Sequence, residues 1–258
     1  MLLKYIILLF IIILILNYKK KYKFNFKIKI IKNLFIIFKK IFFIILLTII
    51  IKFFFYEPFY IPSNSMKPTL LNGDLILVNK YFYFIKNPFN NTILINYKKP
   101  NNGDIIVFKH PYYTNKIFIK RIIGLPEEYI NYNINEKKII IYKKYKNKKN
   151  CYIKKKITYF KKKKYYEENI SNIKYLIILK KNFFSSKKKN IRFIIPKNNY
   201  FLMGDNRDNS YDSRYWGVIN KKNIIGKTTN ILFNIKFNIK NKLLKIKINR
   251  IFKNIYNK

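Results

Sequence analysis

The sequence predicts a mainly β domain with an inserted β region, carried behind two N-terminal membrane helices. Three observations carry that expectation. Two apolar runs, Leu2 to Leu16 and Ile41 to Phe55, stand near the start with lysines between them. Beyond Tyr56, short apolar runs are opened by Gly-Asp pairs, as in "GDLILVNKYFYF" and "GDIIVFKHP", and "KIFIKRIIGLP" is closed by Gly-Leu-Pro. Runs of that length between turn residues are strand signals. From about residue 131 to 190, lysine, asparagine and tyrosine take over and the Gly and Pro punctuation is lost, which sets that stretch apart as an insertion.

The first apolar run, within residues 1–18, is broken only by Lys4 and Tyr5. As a helix it reaches about 22 Å, short of a ~30 Å hydrocarbon core unless flanking residues snorkel. Its length also suits a signal peptide, but the basic cluster Lys19, Lys20 and Lys21 follows it and no A-x-A-like cleavage site is present. A retained anchor fits better. Residues 19–40 form a lysine-rich loop. Residues 41–56 form a second membrane segment, interrupted by Lys52. Past Tyr56 the next twenty residues carry only Lys67. The lysine asymmetry makes the short loop cytoplasmic and puts everything after about residue 57 outside. The alternative, two core helices of a soluble protein, leaves that asymmetry unexplained. Residues 57–130 and 196–235 then form two parts of one β core, 131–195 the insertion, and 236–258 a basic tail.

The chain has 55 Lys+Arg against 11 Asp+Glu, a formal net charge of +44. Such a balance ordinarily points to nucleic acid or an anionic surface. Here lysine is spread through every segment, and the chain contains neither alanine nor glutamine. That is a chain-wide substitution bias and not a basic stripe, so no nucleic-acid partner is expected. The single cysteine, Cys151, excludes an intrachain disulfide or a cysteine zinc cluster. With the single histidine His110 it leaves too few ligands for zinc. No metal and no cofactor are expected.

"IPSNSMKPTL", Ile61 to Leu70, interrupts the bias with two prolines and three hydroxyl side chains. A nucleophilic serine needs an exposed hydroxyl, a nearby base and donors for an oxyanion. If Ser65 attacks, its own N–H and the Ser63 hydroxyl can face one carbonyl oxygen. A turn or capping serine explains the stretch equally well on its own. A histidine base would have to be His110, whose neighbours suggest no triad and which looks like a surface loop residue. A lysine serves instead if it is desolvated. Lys120 follows Ile117, Phe118 and Ile119 and precedes Ile122 and Ile123, so in a strand it shares a face with Phe118 and Ile122. Arg121 points the other way. The S-x-x-K match Ser185 to Lys188 lies in a lysine run without a K-T-G partner. "GDNRDNSYDSRYWG", Gly204 to Gly217, has the wrong spacing for a calcium loop. It is better suited to an ordered polar network that holds Ser210 near a buried lysine, with Asp212 and Arg214 as an ion pair.

Taken together, "YEPFYIPSNSMKPTLLNGDLILVNK", "GDIIVFKHP" with "IKRIIGLP", and "GDNRDNSYDSRYWGVI" with "IIGK" resemble the bacterial type I signal peptidases, in that family's order. They cover roughly 57–126 and 196–227. The resemblance implies a mostly antiparallel β catalytic core with an inserted smaller β region behind the anchors. It implies a membrane-bound serine endopeptidase that cleaves signal peptides from secretory preproteins at the outer, periplasmic face of the inner membrane, acting as a monomer. By motif position Ser65 matches the nucleophile and Lys120 the general base. Ser63 matches the oxyanion donor, Ser210 the residue that orients the lysine, and Asp212 and Arg214 the supporting polar pair. Ile61, Pro62, Met66, Leu70, Phe118 and Ile119 match the surroundings of small apolar substrate pockets. Three departures stand out: His110 replaces another aromatic, Asn64 stands where glycine is common, and the insertion holds one cysteine. Two other readings are a membrane-anchored polycation, and a self-cleaving Ser–Lys repressor-type protease. The second would need a DNA-binding N-terminal domain where the apolar runs stand.

Overall fold

The computed structural model describes residues 26–87, 90, 92–113, 115–144, 152–154, 157–162, 165–170, 173–180, 190–238 and 243–256. The first expected membrane segment, the Ser185–Lys188 motif and Cys151 lie outside the described residues. The chain divides into two compact units, Met1–Ile49 and Ile50–Lys258.

Helix α1 runs from Phe26 to Phe54, 29 residues. It starts well inside the stretch expected to be a basic loop, because no Gly or Pro interrupts residues 26–54. Among the described residues, no helix is long and apolar enough to cross a membrane. Lys39, Lys40 and Lys52 bound its apolar run to Ile41–Ile51, which spans only about 16 Å as a helix. The second expected membrane segment, residues 41–56, is therefore not a span by length and apolarity among the described residues. Leu34, Phe38, Phe43 and Ile44 of α1 are exposed.

The rest is mainly antiparallel β. Strands β1 (Tyr56–Tyr60) and β2 (Asp74–Asn79) are followed by the hairpin β3 (Phe84–Lys86) and β4 (Ile93–Asn96), then by β5 (Ile105–Lys109) and β6 (Ile117–Gly124). The residues of the expected insertion carry β7 (Tyr129–Asn133), β8 (Lys138–Lys144), β9 (Tyr152–Lys154), β10 (Ile157–Lys162), β11 (Tyr165–Ile170), β12 (Ile173–Ile177) and β13 (Ile191–Ile194). The chain returns with β14 (Asn199–Met203), β15 (Ile219–Asn220) and the long β16 (Ile224–Asn238), and ends with β17 (Leu243–Ile246) and β18 (Lys253–Asn254).

The main sheet has the order β1-β2-β16-β5-β6-β14-β15, with β17 and β18 also on β16. Strands β6 and β14 are neighbours, so the chain leaves the sheet at Gly124 and rejoins it beside itself. Between them the insertion forms two small sheets, β13-β7-β8-β9 and β10-β11-β12. The run Ile105–Phe108 is buried throughout because both faces of the sheet are covered. Ile105 and Val107 pack with Ile61, Met66, Leu70, Ile76, Val78 and Ile231. Ile106 and Phe108 face the other core, with Phe84, Ile122, Leu202 and Trp216. A third core joins Ile123, Phe201 and Met203 to Ile139, Ile141, Ile170 and Ile177 of the insertion. The basic C-terminal segment is not a loose tail. Strand β18 pairs with Asn230 and Ile231, and the Tyr256 hydroxyl accepts from Ile105 N at 2.8 Å.

Candidate active site

The serine loop is a lid over the first core. Ile61 N donates to Asp74 O and Gly73 N to Ile61 O, both at 2.9 Å, so the loop closes on itself as β1 turns into β2. Met66 and Leu70 plug the core beneath it and are fully buried. Pinned on that side, the loop turns Ser63 and Ser65 the other way. Their hydroxyl oxygens are 3.4 Å apart.

Strand β6 brings in the lysine. Lys120 pairs in register with Ile106, and its Nζ donates to Ser65 Oγ at 2.8 Å. Both side chains are nearly closed off from solvent: Ser65 is 9% exposed and Lys120 5%. The ammonium lies 5.7 Å from the centre of the Phe118 ring. Burial lowers the Lys120 pKa from about 10.5 to about 8. Asp212 and Asp205 pull it back up, and Arg214 adds to the lowering.

The loop Gly204 to Gly217 grips the serine loop from the far side. Asn206 N donates to Ser65 O at 3.0 Å, and Asn206 Nδ2 to Asn64 O at 3.1 Å. A Cβ on Gly204 would lie 2.6 Å from Ser65 O and 2.2 Å from Ser210 Oγ, so only glycine permits the approach. Asp212 caps the short helical turn Ser213–Trp216, accepts from Gly204 N at 3.0 Å, and takes both Nε and Nη2 of Arg214 at 2.8 Å. The Asp212–Arg214 pair is therefore what folds this loop back on itself. Ser210 is buried beside Gly204, but its Oγ has no hydrogen-bond partner, Lys120 included.

A cleft of about 450 Å³ opens in front of Ser65 and Lys120. Of the residues that the resemblance gives to the substrate pockets, Ile61, Pro62, Phe118 and Ile119 line it, together with Ser63. Met66 and Leu70 do not: their side chains point into the core under the loop. Phe59, Tyr60, Ile76, Val107, Ile117 and Tyr211 complete the wall and were missed. The alternation of β1 and β5 could have suggested Phe59 and Val107, since each is two residues from a position facing the same side. Arg121, expected only to point away from the lysine, is buried and holds Asp205 through Nε at 2.7 Å and Nη2 at 2.6 Å.

His110 is a second correction. It is not a surface residue but fully buried, in a cage of Tyr112, Tyr113, Phe118, Tyr211 and Trp216. Its Nδ1 accepts from the backbone N–H groups of Tyr112 and Tyr113, both at 3.2 Å. Burial and then Lys116 lower its pKa. Among the described residues, no group of three or more His, Cys, Asp or Glu side chains could hold a metal ion.

The family model described as signal peptidase, peptidase S26, matches residues 34–233. The chain belongs to that family. The match takes in the serine loop, β6, the insertion and the Gly204–Gly217 loop. Similar proteins agree. Signal peptidase I of Buchnera aphidicola subsp. Acyrthosiphon pisum is 42% identical over 234 residues, covering 77% of this chain and 74% of that protein. Its counterpart from Buchnera aphidicola subsp. Baizongia pistaciae is 39% identical over 212 residues, 67% of this chain and 68% of that protein. Signal peptidase I of Pseudomonas aeruginosa is 36% identical over 184 residues, 67% of this chain and 63% of that protein. Within the matched region, Ser65 Oγ and Lys120 Nζ meet at 2.8 Å in a cleft.

Proposed function

We propose that the chain is a membrane-anchored serine endopeptidase that cleaves N-terminal signal peptides from exported preproteins, with Ser65 as nucleophile and Lys120 as general base. The observation that carries this reading is the buried 2.8 Å contact between Lys120 Nζ and Ser65 Oγ. A lysine titrating near 8 is about 10% neutral at pH 7, against about 0.03% for one at 10.5, a gain of about 300-fold in available base.

The neutral amine takes the Ser65 proton as Oγ attacks the scissile carbonyl carbon. Charge moves to the carbonyl oxygen, where the Ser65 N–H and the Ser63 hydroxyl donate to it. On collapse the C–N bond breaks, and the Lys120 ammonium gives its proton to the departing amine. The signal peptide is left as an ester on Ser65. Water then attacks that ester while the same amine takes its proton, and the ammonium returns a proton to Ser65 Oγ. The polar pair Asp212 and Arg214 holds the Gly204–Gly217 loop, with Ser210 packed against Gly204, beside the reacting pair.

The cleft's walls support alanine, glycine or serine just before the cut and a small or modest aliphatic residue two positions earlier: Ile61, Phe118 and Ile119 present apolar surface without charge. The relatives' name, Signal peptidase I, supports the same substrate class. The chain would act as a monomer and as a multi-pass protein of the bacterial inner membrane with the catalytic domain outside; exposed apolar side chains on α1 and the lysines around it support the membrane contact.

Cleavage of a model preprotein by the detergent-solubilised full chain tests the reading. Ser65→Ala and Lys120→Met should each abolish cleavage while the chain still folds, and His110→Phe should keep most of it. Near-normal cleavage by Lys120→Met, or loss confined to His110→Phe, would replace the Ser–Lys pair by a histidine mechanism.

A further inference from the structure

Among the described residues, the most completely buried ion pair outside the site joins the insertion to the Gly204–Gly217 loop. Glu168, on β11, is fully buried, and Arg207 is 1% exposed. Glu168 Oε1 accepts from Arg207 Nη1 at 3.0 Å, and Oε2 accepts from Arg207 Nη2 and from the Tyr175 hydroxyl. A carboxylate in that position costs several kcal/mol of desolvation unless its partners are held in place. The reaction described above uses none of these three groups.

Their contacts lead to the loop beside Ser65, where Asn206 N donates to Ser65 O at 3.0 Å, and to the strand of Lys120. Arg207 O accepts from Arg214 Nη2, and Arg214 is held by Asp212. Ser210 lies between Arg207 and Asp212 in the chain. The backbone of the insertion reinforces the hold: Ile178 N donates to Asp205 O at 2.9 Å and Arg207 N to Ile178 O at 3.1 Å. Next door, Lys180 N donates to Asp208 Oδ2 at 2.6 Å. On the other side, the Tyr175 ring carries the Arg121 guanidinium at 4.0 Å. Arg121 follows Lys120 in β6 and clamps Asp205, which itself acts on the Lys120 proton.

We propose that Glu168 of the insertion is a positioning residue for peptide cleavage, holding the Asn206 contact to Ser65 through Arg207 and the Lys120 strand through Tyr175 and Arg121. The insertion is thereby part of the catalytic frame and not an appendage. This rests on the Ser–Lys reading, and the parent chain must first cleave the preprotein and lose cleavage in Ser65→Ala. If it does not, that reading fails before Glu168 is tested.

Glu168→Gln keeps the shape of the side chain and removes its charge. In the full chain in detergent, kcat should fall roughly tenfold with KM within about twofold, because the substrate cleft is untouched while the reacting groups loosen. Looser packing admits water to Lys120, so the acid limb of the pH–rate profile should move up by about half a unit or more. A merely structural residue would lower Tm and leave that limb in place. The double variant Glu168→Gln/Arg207→Gln removes the unpaired buried cation. If it regains the parent Tm together with the parent kcat and acid limb, the proposal falls. If Tm returns while kcat stays low, it stands. Tyr175→Phe leaves both charges paired and keeps the test readable if the charge variants do not fold. A parental kcat and acid limb in Tyr175→Phe would overturn the proposal.

Discussion

In the proposed mechanism Lys120 carries the chemistry, and its surroundings came from two sources of unequal legibility. Its apolar neighbours could be read directly, because alternation in a strand puts Phe118 and Ile122 on the same face. Of the charges that set its proton, Asp212 and Arg214 were expected from the Gly204–Gly217 stretch, but Asp205, on the same distant loop, was not. The net balance leaves a pKa near 8, and in the proposed mechanism the neutral form is the active one. The kcat/KM profile should therefore rise with pH, tenfold per unit below about 8, and level off above it. A stopped assay of preprotein cleavage from pH 6 to 10 reads this, with an acid limb near 10.5 as the contrary result. Gly204 is the second residue that decides the site. Its Cβ would meet Ser210 Oγ at 2.2 Å and Ser65 O at 2.6 Å, so Gly204→Ala must push one loop off the other. A displacement approaching 1 Å at the nucleophile costs on the order of a hundredfold in rate. Gly204→Ala should lose about that much in kcat/KM while its circular dichroism stays parental. His110 shows the limit of single-residue reading. Its cage is assembled from Phe118, Tyr211 and Trp216, which adjacency in sequence does not bring together.

At the level of elements, the strands and the insertion were visible where Gly-Asp turns and Gly-Leu-Pro punctuate the chain. The direction of side chains in the serine loop was not. Met66 and Leu70 are three and four residues from neighbours that line the cleft or the turn, and only the closure of the loop between Ile61 and Gly73 turns them inward. The C-terminal segment was obscured by its lysines, which hide Arg250. That arginine holds Asp74 through Nε at 2.8 Å, and its Nη2 donates to Thr69 O at 3.0 Å, inside the serine loop. Asp74 is fully buried and also takes Leu71 N and Asn234 Nδ2, both at 2.7 Å. Removing the cation leaves a buried carboxylate without its counter-charge, a loss of about 3 kcal/mol or more. Arg250→Met should therefore lower Tm by about 6 °C or more in a protein of this size. Because Thr69 also donates to Asp205 at 2.5 Å, cleavage should fall at temperatures where the variant is still folded. An unchanged Tm would mean that the terminal strands sit on the sheet without securing the loop.

For the whole molecule the question is what keeps the cleft where its substrate is. A net charge of +44 would draw this chain to any anionic surface, with no anchor needed. Exposed Leu34, Phe38, Phe43 and Ile44 on α1 point instead to apolar contact with lipid. Salt separates the two. At 1 M ionic strength the Debye length is about 3 Å, so attraction between lysines and lipid headgroups is screened, while apolar insertion is not weakened. The full chain expressed in bacteria should stay with the membrane fraction through a 1 M salt wash, and a chain lacking residues 1–54 should leave it. Protease added outside cells with a permeable outer layer should then digest the domain after residue 57 and spare the lysines of residues 19–40, as the lysine asymmetry requires. Release of the full chain by salt alone would make charge the tether and overturn the anchored reading, without touching Ser65 or Lys120. Release of activity together with the domain would show that the cleft works wherever its substrate can reach it. The anchor's contribution would then be concentration at the surface, not a part of the chemistry.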